Sequence, residues 1–234
     1  TAVLDKFCAP LCEAIAGQAD GPKDTSMEGW EFIGRLKKEN LFLIDLDMEK
    51  HWFRFHHLFR RLLKNQLRRY RKPDDIAMLH QRASDWFEQN GLITEAIKHA
   101  HHAGDTERTI QLVGQHRQTI WNIGRINEFE SWLALFPDDV CNAHTELLML
   151  KAVVFYLQSR FQYIEPIIER VESLAGKDPI DPVLKGEIHF FRALLLLLRG
   201  EGQDACKRIR QALDALPADH HSMIGISLTY LGLA

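Results

Sequence analysis

The stretch Asn40–Leu67, NLFLIDLDMEKHWFRFHHLFRRLLKNQL, decides how the rest of the chain is read. Leu41, Phe42, Leu43 and Ile44 make an apolar run able to fill both faces of a short strand, and Trp52, Phe53 and Phe55 make a second, aromatic one. Asp47, Met48, Glu49 and Lys50 form a polar turn between them. The period then changes. Leu58, Phe59, Leu62, Leu63, Leu67 and Tyr70 recur at helical spacing and define one apolar helix face. His56 and His57 therefore stand where a β-hairpin gives way to a helix.

Upstream, Leu4–Ala16 has a helical pattern, with Pro10 tolerable in a first turn because that N–H needs no partner. Gly17 and the polar run Gln18–Lys23 end it. Thr25 and Glu28 have the spacing of a capping box, which predicts a helix over Met27–Lys38 that carries Trp30, Phe32, Ile33 and Leu36. Helix, loop, helix, hairpin, helix is the order of a winged-helix domain whose wing is the hairpin, and we place it at residues 1–70.

Downstream, Pro73 breaks the helical pattern at Arg71–Asp74. Helices are predicted over Asp75–Gln89, Leu92–Ala103 and Thr106–Gly124, punctuated by Asn90-Gly91, Gly104-Asp105 and Gly124, as a helical arm over residues 71–126. Over residues 127–234 the chain repeats on itself. Ala152 and Ala193, Leu157 and Leu198, Gln162 and Gln203, and Ile168 and Ile209 share an offset of 41 residues, and the same step reaches Ala234. The turns fall at Ser159-Arg160-Phe161 and Arg199-Gly200-Glu201-Gly202. The fold class expected is mainly α, a winged helix with one β-hairpin followed by a tetratricopeptide-like (TPR-like) α–α superhelix with an incomplete last repeat. An uncapped repeat implies either more chain or self-association through its apolar edge.

Composition narrows the function classes. With 46% hydrophobic and 26% charged residues the chain is globular, and a net charge of −3 gives no overall footprint for nucleic acid. Four cysteines without a secretory leader suit a reducing cytoplasm. The longest apolar run, Ala193–Leu198, is far short of a membrane span. The chain does not open with Met, and we expect it to be a fragment.

A resemblance now enters. Cys8-Ala9-Pro10-Leu11-Cys12, Asn40-Leu41-Phe42-Leu43, Leu46-Asp47 and Trp52–Phe59 resemble the LuxR-type large ATP-binding transcriptional regulators, the MalT-like group of the STAND class of nucleotide-switched ATPases. Leu79–Ser84, Trp86-Phe87, Asn90-Gly91 and Glu95–Ala100 continue it. The resemblance implies a parent with an upstream ATPase module that holds ATP or ADP and a downstream DNA-binding helix-turn-helix. Within this chain it implies a repeat surface that receives a small-molecule inducer or protein effector. It also assigns a role to His56 and His57. Related proteins carry a Met-His-Asp motif at the start of this helix, its histidine beside the diphosphate of ADP, and Phe55-His56-His57 occupies that place, with His57 standing where the pattern has Asp. Arg60, Arg61 and Lys64 are candidate phosphate or interdomain contacts.

Other motifs read differently. Gly29–Leu36, GWEFIGRL, misses a phosphate loop by an Arg and a Leu where Lys and a hydroxyl are needed, and lies in a helical pattern. Gly200–Ala205, GEGQDA, fits a dinucleotide fingerprint but follows a leucine run that belongs to a helix. Adjacent histidines point apart on a helix, so no metal site is expected, although His99 and His102 can share a face. Arg60, Arg61, Lys64, Arg68, Arg69, Arg71 and Lys72 make one basic stretch, read either as a surface for DNA phosphates or, preferably, as a solvated one. No nucleophile, base and orienter stand at plausible spacing, so no catalytic residue is expected. A repeat adaptor without nucleotide switching is the alternative.

Overall fold

The computed structural model describes residues 1–16, 28–49, 51–176 and 181–233. It divides into two compact units, Thr1–Thr109 and Ile110–Ala234. The first holds helices α1 (Ala9–Ala16) and α2 (Gly29–Lys38), strands β1 (Leu43–Asp45) and β2 (Phe53–Phe55), and helices α3 (His57–Tyr70), α4 (Pro73–Gln89) and α5 (Ile93–His102). The capping-box Thr25, the loop Gly17–Lys23, Met27 and the turn residue Lys50 lie outside the described residues.

The hairpin is antiparallel, with Leu43 opposite Phe55 and Asp45 opposite Phe53. Asp47 builds its turn by accepting from the backbone N–H of His51 at 2.7 Å and of Trp52 at 3.2 Å. Two details of the sequence reading are corrected. Residues Leu4–Cys8 are not helical, because Phe7 exchanges both backbone hydrogen bonds with Phe53 at 2.8 Å and so adds a one-residue bridge to β2. Phe42 fills neither face of a strand: its φ of 51° bends the chain just before β1 and leaves the ring 63% exposed.

Burial explains the rest of this winged helix. Phe7, Phe53 and Phe55 are buried together, the Phe7 and Phe55 rings 4.9 Å apart, and each contributes roughly 2–3 kcal/mol by leaving water. Leu4, Leu11, Ile15, Ile33 and Leu36 close the core around them. Gly29 lets α2 approach α1. Its N–H donates to Glu13 Oε1 at 2.6 Å, and a Cβ there would meet the Ala9 carbonyl oxygen at 2.2 Å. The near-miss phosphate loop is thus an ordinary helix with a packing glycine.

The apolar stripe lies on one helix, α3, as read, but it is left uncovered. No residue of this helix is buried, and Leu58, Leu62 and Tyr70 are exposed. Helical spacing was legible, but the core is too thin to cover the stripe. Pro73 begins α4 rather than merely preceding it, with Lys72 extended at φ −69° and ψ 154° as a pre-proline residue requires. α4 and α5 pack through Ala83, Phe87, Ala96 and Ile97, and the buried Ser84 hydroxyl donates to the Ala96 carbonyl at 2.8 Å.

The unit boundary falls within α6 (Thr106–Asn122). The second unit continues with α7 (Ile126–Leu133), α8 (Asp138–Cys141), α9 (Thr145–Leu157), α10 (Ile164–Ala175), α11 (Pro182–Leu198), α12 (Gly202–Ala215) and α13 (His221–Leu233). The 41-residue step is carried by buried positions: Ala152 and Ala193, Ile164 and Ala205, Ile168 and Ile209, Val171 and Ala212. Ala234, the end of that series, lies outside the described residues.

Six helices stop in one way. At Asn40, Gly91, Gly104, Gly124, Ser159 and Gly200 the backbone turns left-handed, with φ between 52° and 78°. The next residue then donates its N–H to the carbonyl five positions back, as in Leu92 to Phe87 at 2.8 Å, Arg160 to Phe155 at 2.8 Å and Glu201 to Leu196 at 3.0 Å. This satisfies carbonyls the helix end leaves open. It also explains the punctuation by glycine, and identifies Asn40 and Ser159 as positions where a residue with a Cβ does a glycine's work.

The second unit is locked by a buried charge pair that sequence spacing does not reveal. Arg117 on α6 grips Glu187 on α11 with two hydrogen bonds of 2.6 and 2.5 Å, and Glu187 is fully buried. His220, just before α13, lies 3.7 Å from the same carboxylate. Burial alone would raise the Glu187 pKa, but Arg117 outweighs it and holds the group ionised.

Candidate functional site

The hairpin-to-helix joint positions the candidate histidines. His56 donates its backbone N–H to the Phe42 carbonyl at 2.9 Å and sits at φ −54° and ψ 139°, extended, as the residue before the first turn of α3. Its imidazole makes no capping hydrogen bond, so the helix does not use the ring. The His56 and His57 rings lean on each other at 4.3 Å, His56 half-buried and His57 exposed. Phe42, whose carbonyl takes the His56 N–H, and Leu58 are both exposed, the latter 56% accessible. His56, half-buried, is thus not enclosed in the hydrocarbon core.

The basic candidates separate. Arg60 Nη1 donates to Asp5 Oδ1 at 2.5 Å, and Lys64 Nζ lies 3.5 Å from the same oxygen. Both are therefore tied to the segment before α1. Arg61 is exposed and has no ion pair among the described residues. Asp5 as their partner is a contact between residues far apart in sequence that no local pattern announces.

Sequence reasoning paired His99 with His102 but missed His80. α4 delivers its ring to both, with His80 Nδ1 3.0 Å from His99 Nδ1 and the His80 ring stacked on His102 at 5.2 Å. Of the two facing Nδ1 atoms one must donate and the other accept, so the pair favours neutral rings. Burial, with His102 and then Lys64 adding repulsion, lowers His80 to about 4. Burial and its two histidine neighbours lower His99 to about 3. Among the described residues no group of three or more His, Cys, Asp or Glu is arranged to hold a metal ion.

The geometry defines a class first: a winged helix with a half-buried histidine at its joint, followed in the chain by helical hairpins that repeat. The family described as the MalT winged helix domain matches residues 1–76. The HTH-type transcriptional regulator MalT of Yersinia enterocolitica (serotype O:8 / biotype 1B) is 30% identical over 199 residues, 84% of this chain and 22% of that protein. The proteins of the same name from Yersinia pestis (strain Pestoides F) and Yersinia pseudotuberculosis (serotype O:1b) are 27% identical over 195 residues, 82% of the chain and 22% of each relative. No solved structure matches it. The chain is a MalT-like regulator segment, and it spans about a fifth of the length of these relatives. Their names describe regulators rather than enzymes. Among the described residues no helix is long and apolar enough to cross a membrane.

Proposed function

We propose that this segment couples two events in a larger transcriptional regulator: occupancy of a nucleotide-binding module and binding of an inducer or protein effector. The winged helix, residues 1–70, is the part that docks on the nucleotide module of the same protein, and His56 is its latch to a bound phosphate. The helices over residues 71–126 transmit, and the repeats over residues 127–234 receive the effector. ATP and ADP belong to the parent, upstream of this segment, and DNA is reached only through a helix-turn-helix downstream. The whole acts in the cytoplasm.

One observation carries this reading: the His56 ring is left unused by the helix it precedes, at a joint where Phe42 and Leu58 are also exposed. An imidazole so placed donates to a phosphate oxygen, and the exposed apolar groups give the docking surface its hydrophobic area. Nucleotide favours one arrangement and effector another, and a differential affinity of a few kcal/mol is enough to move the balance. His57 adds a second donor, and exposed Arg61 a long-range attraction for the same anion.

The test is His56→Ala in the full-length regulator. Faster loss of bound ADP together with raised basal transcription supports the latch. Unchanged ADP retention and unchanged basal output would favour a repeat adaptor that binds protein without nucleotide switching.

A further inference from the structure

The first unit contains a cavity of about 530 Å³ between the segment before α1 and helices α3, α4 and α5. That volume falls in the range of small-molecule sites. Its charge is unlike that of the chain. A protein of net charge −3 places six cations around this one space and only two carboxylates, Asp5 and Glu95.

The two carboxylates are already used. Asp5 takes Arg60 and Lys64, and Glu95 takes Lys6 at 2.6 Å. Arg54 on β2, Arg68 on α3 and Lys98 on α5 also line the cavity, and none of them has an ion pair among the described residues. Three cations from three different elements thus converge without a counter-charge. Val3, Leu67, Ile76 and Phe87 give the cavity apolar wall, where electrostatic attraction is less screened than at an open surface. The imidazoles of His80, His99 and His102 line it as well; one ring of the His80–His99 pair keeps an Nε2–H to donate, while the His102 Nδ1 is engaged by the Lys98 carbonyl at 2.6 Å.

We propose that this cavity binds a small phosphate-bearing ligand, with Arg54, Arg68 and Lys98 neutralising its charge and the one ring N–H that the His80–His99 contact leaves over donating to its oxygens. Arginine suits this chemistry because its planar fork matches two phosphate oxygens at once. The site is separate from the His56 latch, since neither His56 nor His57 lines it. A ligand here would tie α3 to α4 and α5, whereas the ion pairs of Arg60 and Lys64 tie α3 to the segment before α1.

The experiment uses the 234-residue chain and inorganic pyrophosphate at constant ionic strength. Titration is followed calorimetrically and through the imidazole resonances of His80, His99 and His102. Saturable binding that shifts these three resonances is expected, and Arg68→Glu with Lys98→Glu should weaken it by about tenfold or more, equivalent to at least about 1.4 kcal/mol. Both residues are exposed, so the fold does not depend on them. Lys38→Glu with Arg69→Glu makes the same change in net charge away from the cavity and should alter affinity by less than about twofold. His56→Ala should bind pyrophosphate as the parent chain does, which separates this site from the latch. The proposal is overturned by absence of saturable binding, by equal loss in the two charge-reversal pairs, or by full retention in Arg68→Glu with Lys98→Glu.

Discussion

Helices α3 and α11 are of similar length and both rich in leucine, yet they live in opposite surroundings. α11 buries nine residues, including a glutamate, whereas α3 buries none. Apolar periodicity alone does not separate them. What separates them is what the rest of the chain supplies: α12 packs along α11, while the thin aromatic core around Phe7, Phe53 and Phe55 reaches α3 chiefly through Phe59, whose ring lies 5.3 Å from Phe55. A helix with an apolar stripe and no cover is a surface prepared for something else, and a helix saturated with neighbours is a strut.

The sharpest way to break this contrast is to remove one side chain from each helix. Glu187→Ala leaves Arg117 buried without its counter-charge and is expected to cost about 3–5 kcal/mol, read from urea unfolding. Leu58→Ser, on exposed α3, should change stability by less than about 0.5 kcal/mol. A large loss from Leu58→Ser would mean that α3 is covered after all.

Acid sharpens the contrast, because His80 and His99 in the first unit and His220 in the second are shifted in opposite directions, although His189 on α11 is lowered as well. His80 and His99 have folded pKa values of about 4 and about 3, below their ordinary 6.5. The unfolded chain therefore takes up protons first, and their contribution to the first unit is complete above about 6.5 and is lost as pH falls towards those values. His220 in the second unit runs the other way. Burial would lower its pKa, but the Glu187 and Asp219 carboxylates outweigh burial and raise it. Its contribution is complete below 6.5 and fades as pH rises through its folded value. Hydrogen exchange on amides of α5 should speed up as pH falls below about 6.5, relative to their intrinsic rates, whereas that on α13, which His220 precedes, should speed up only as pH rises above 6.5. Parallel slopes would refute the assignment.

Much of this was legible in the sequence, and the boundary of legibility is the distance over which a contact acts. The hairpin, the helix after it, the glycine stops and the 41-residue step are local or periodic, and they stand as read. Phe7 was read as helical because its spacing from Leu4 and Leu11 is helical, whereas its partner Phe53 is far along the chain. His80, Asp5 and Glu187 escaped for the same reason, each joined to residues on other elements. For the joint itself, the sequence pointed to His56, but only coordinates reveal that the ring does no capping and that Arg60 and Lys64 are engaged by Asp5.

An effect well below that of losing Glu187 is expected at the helix stops. Ser159→Gly relieves a left-handed residue that carries a Cβ and should stabilise the second unit by up to about 1 kcal/mol, while Gly200→Ala, at the equivalent place, should cost about as much. No atom crowds a Cβ at Gly200, so the thermal shift there reports backbone conformation alone.

These stops have an evolutionary corollary. Because each reversal closes on its own backbone and asks nothing of distant neighbours, a helical pair is a transferable part with standard fittings at its ends. Duplication or deletion of a whole pair would preserve every joint, so lineages can vary the span available to ligands by copying parts rather than by redesigning connections.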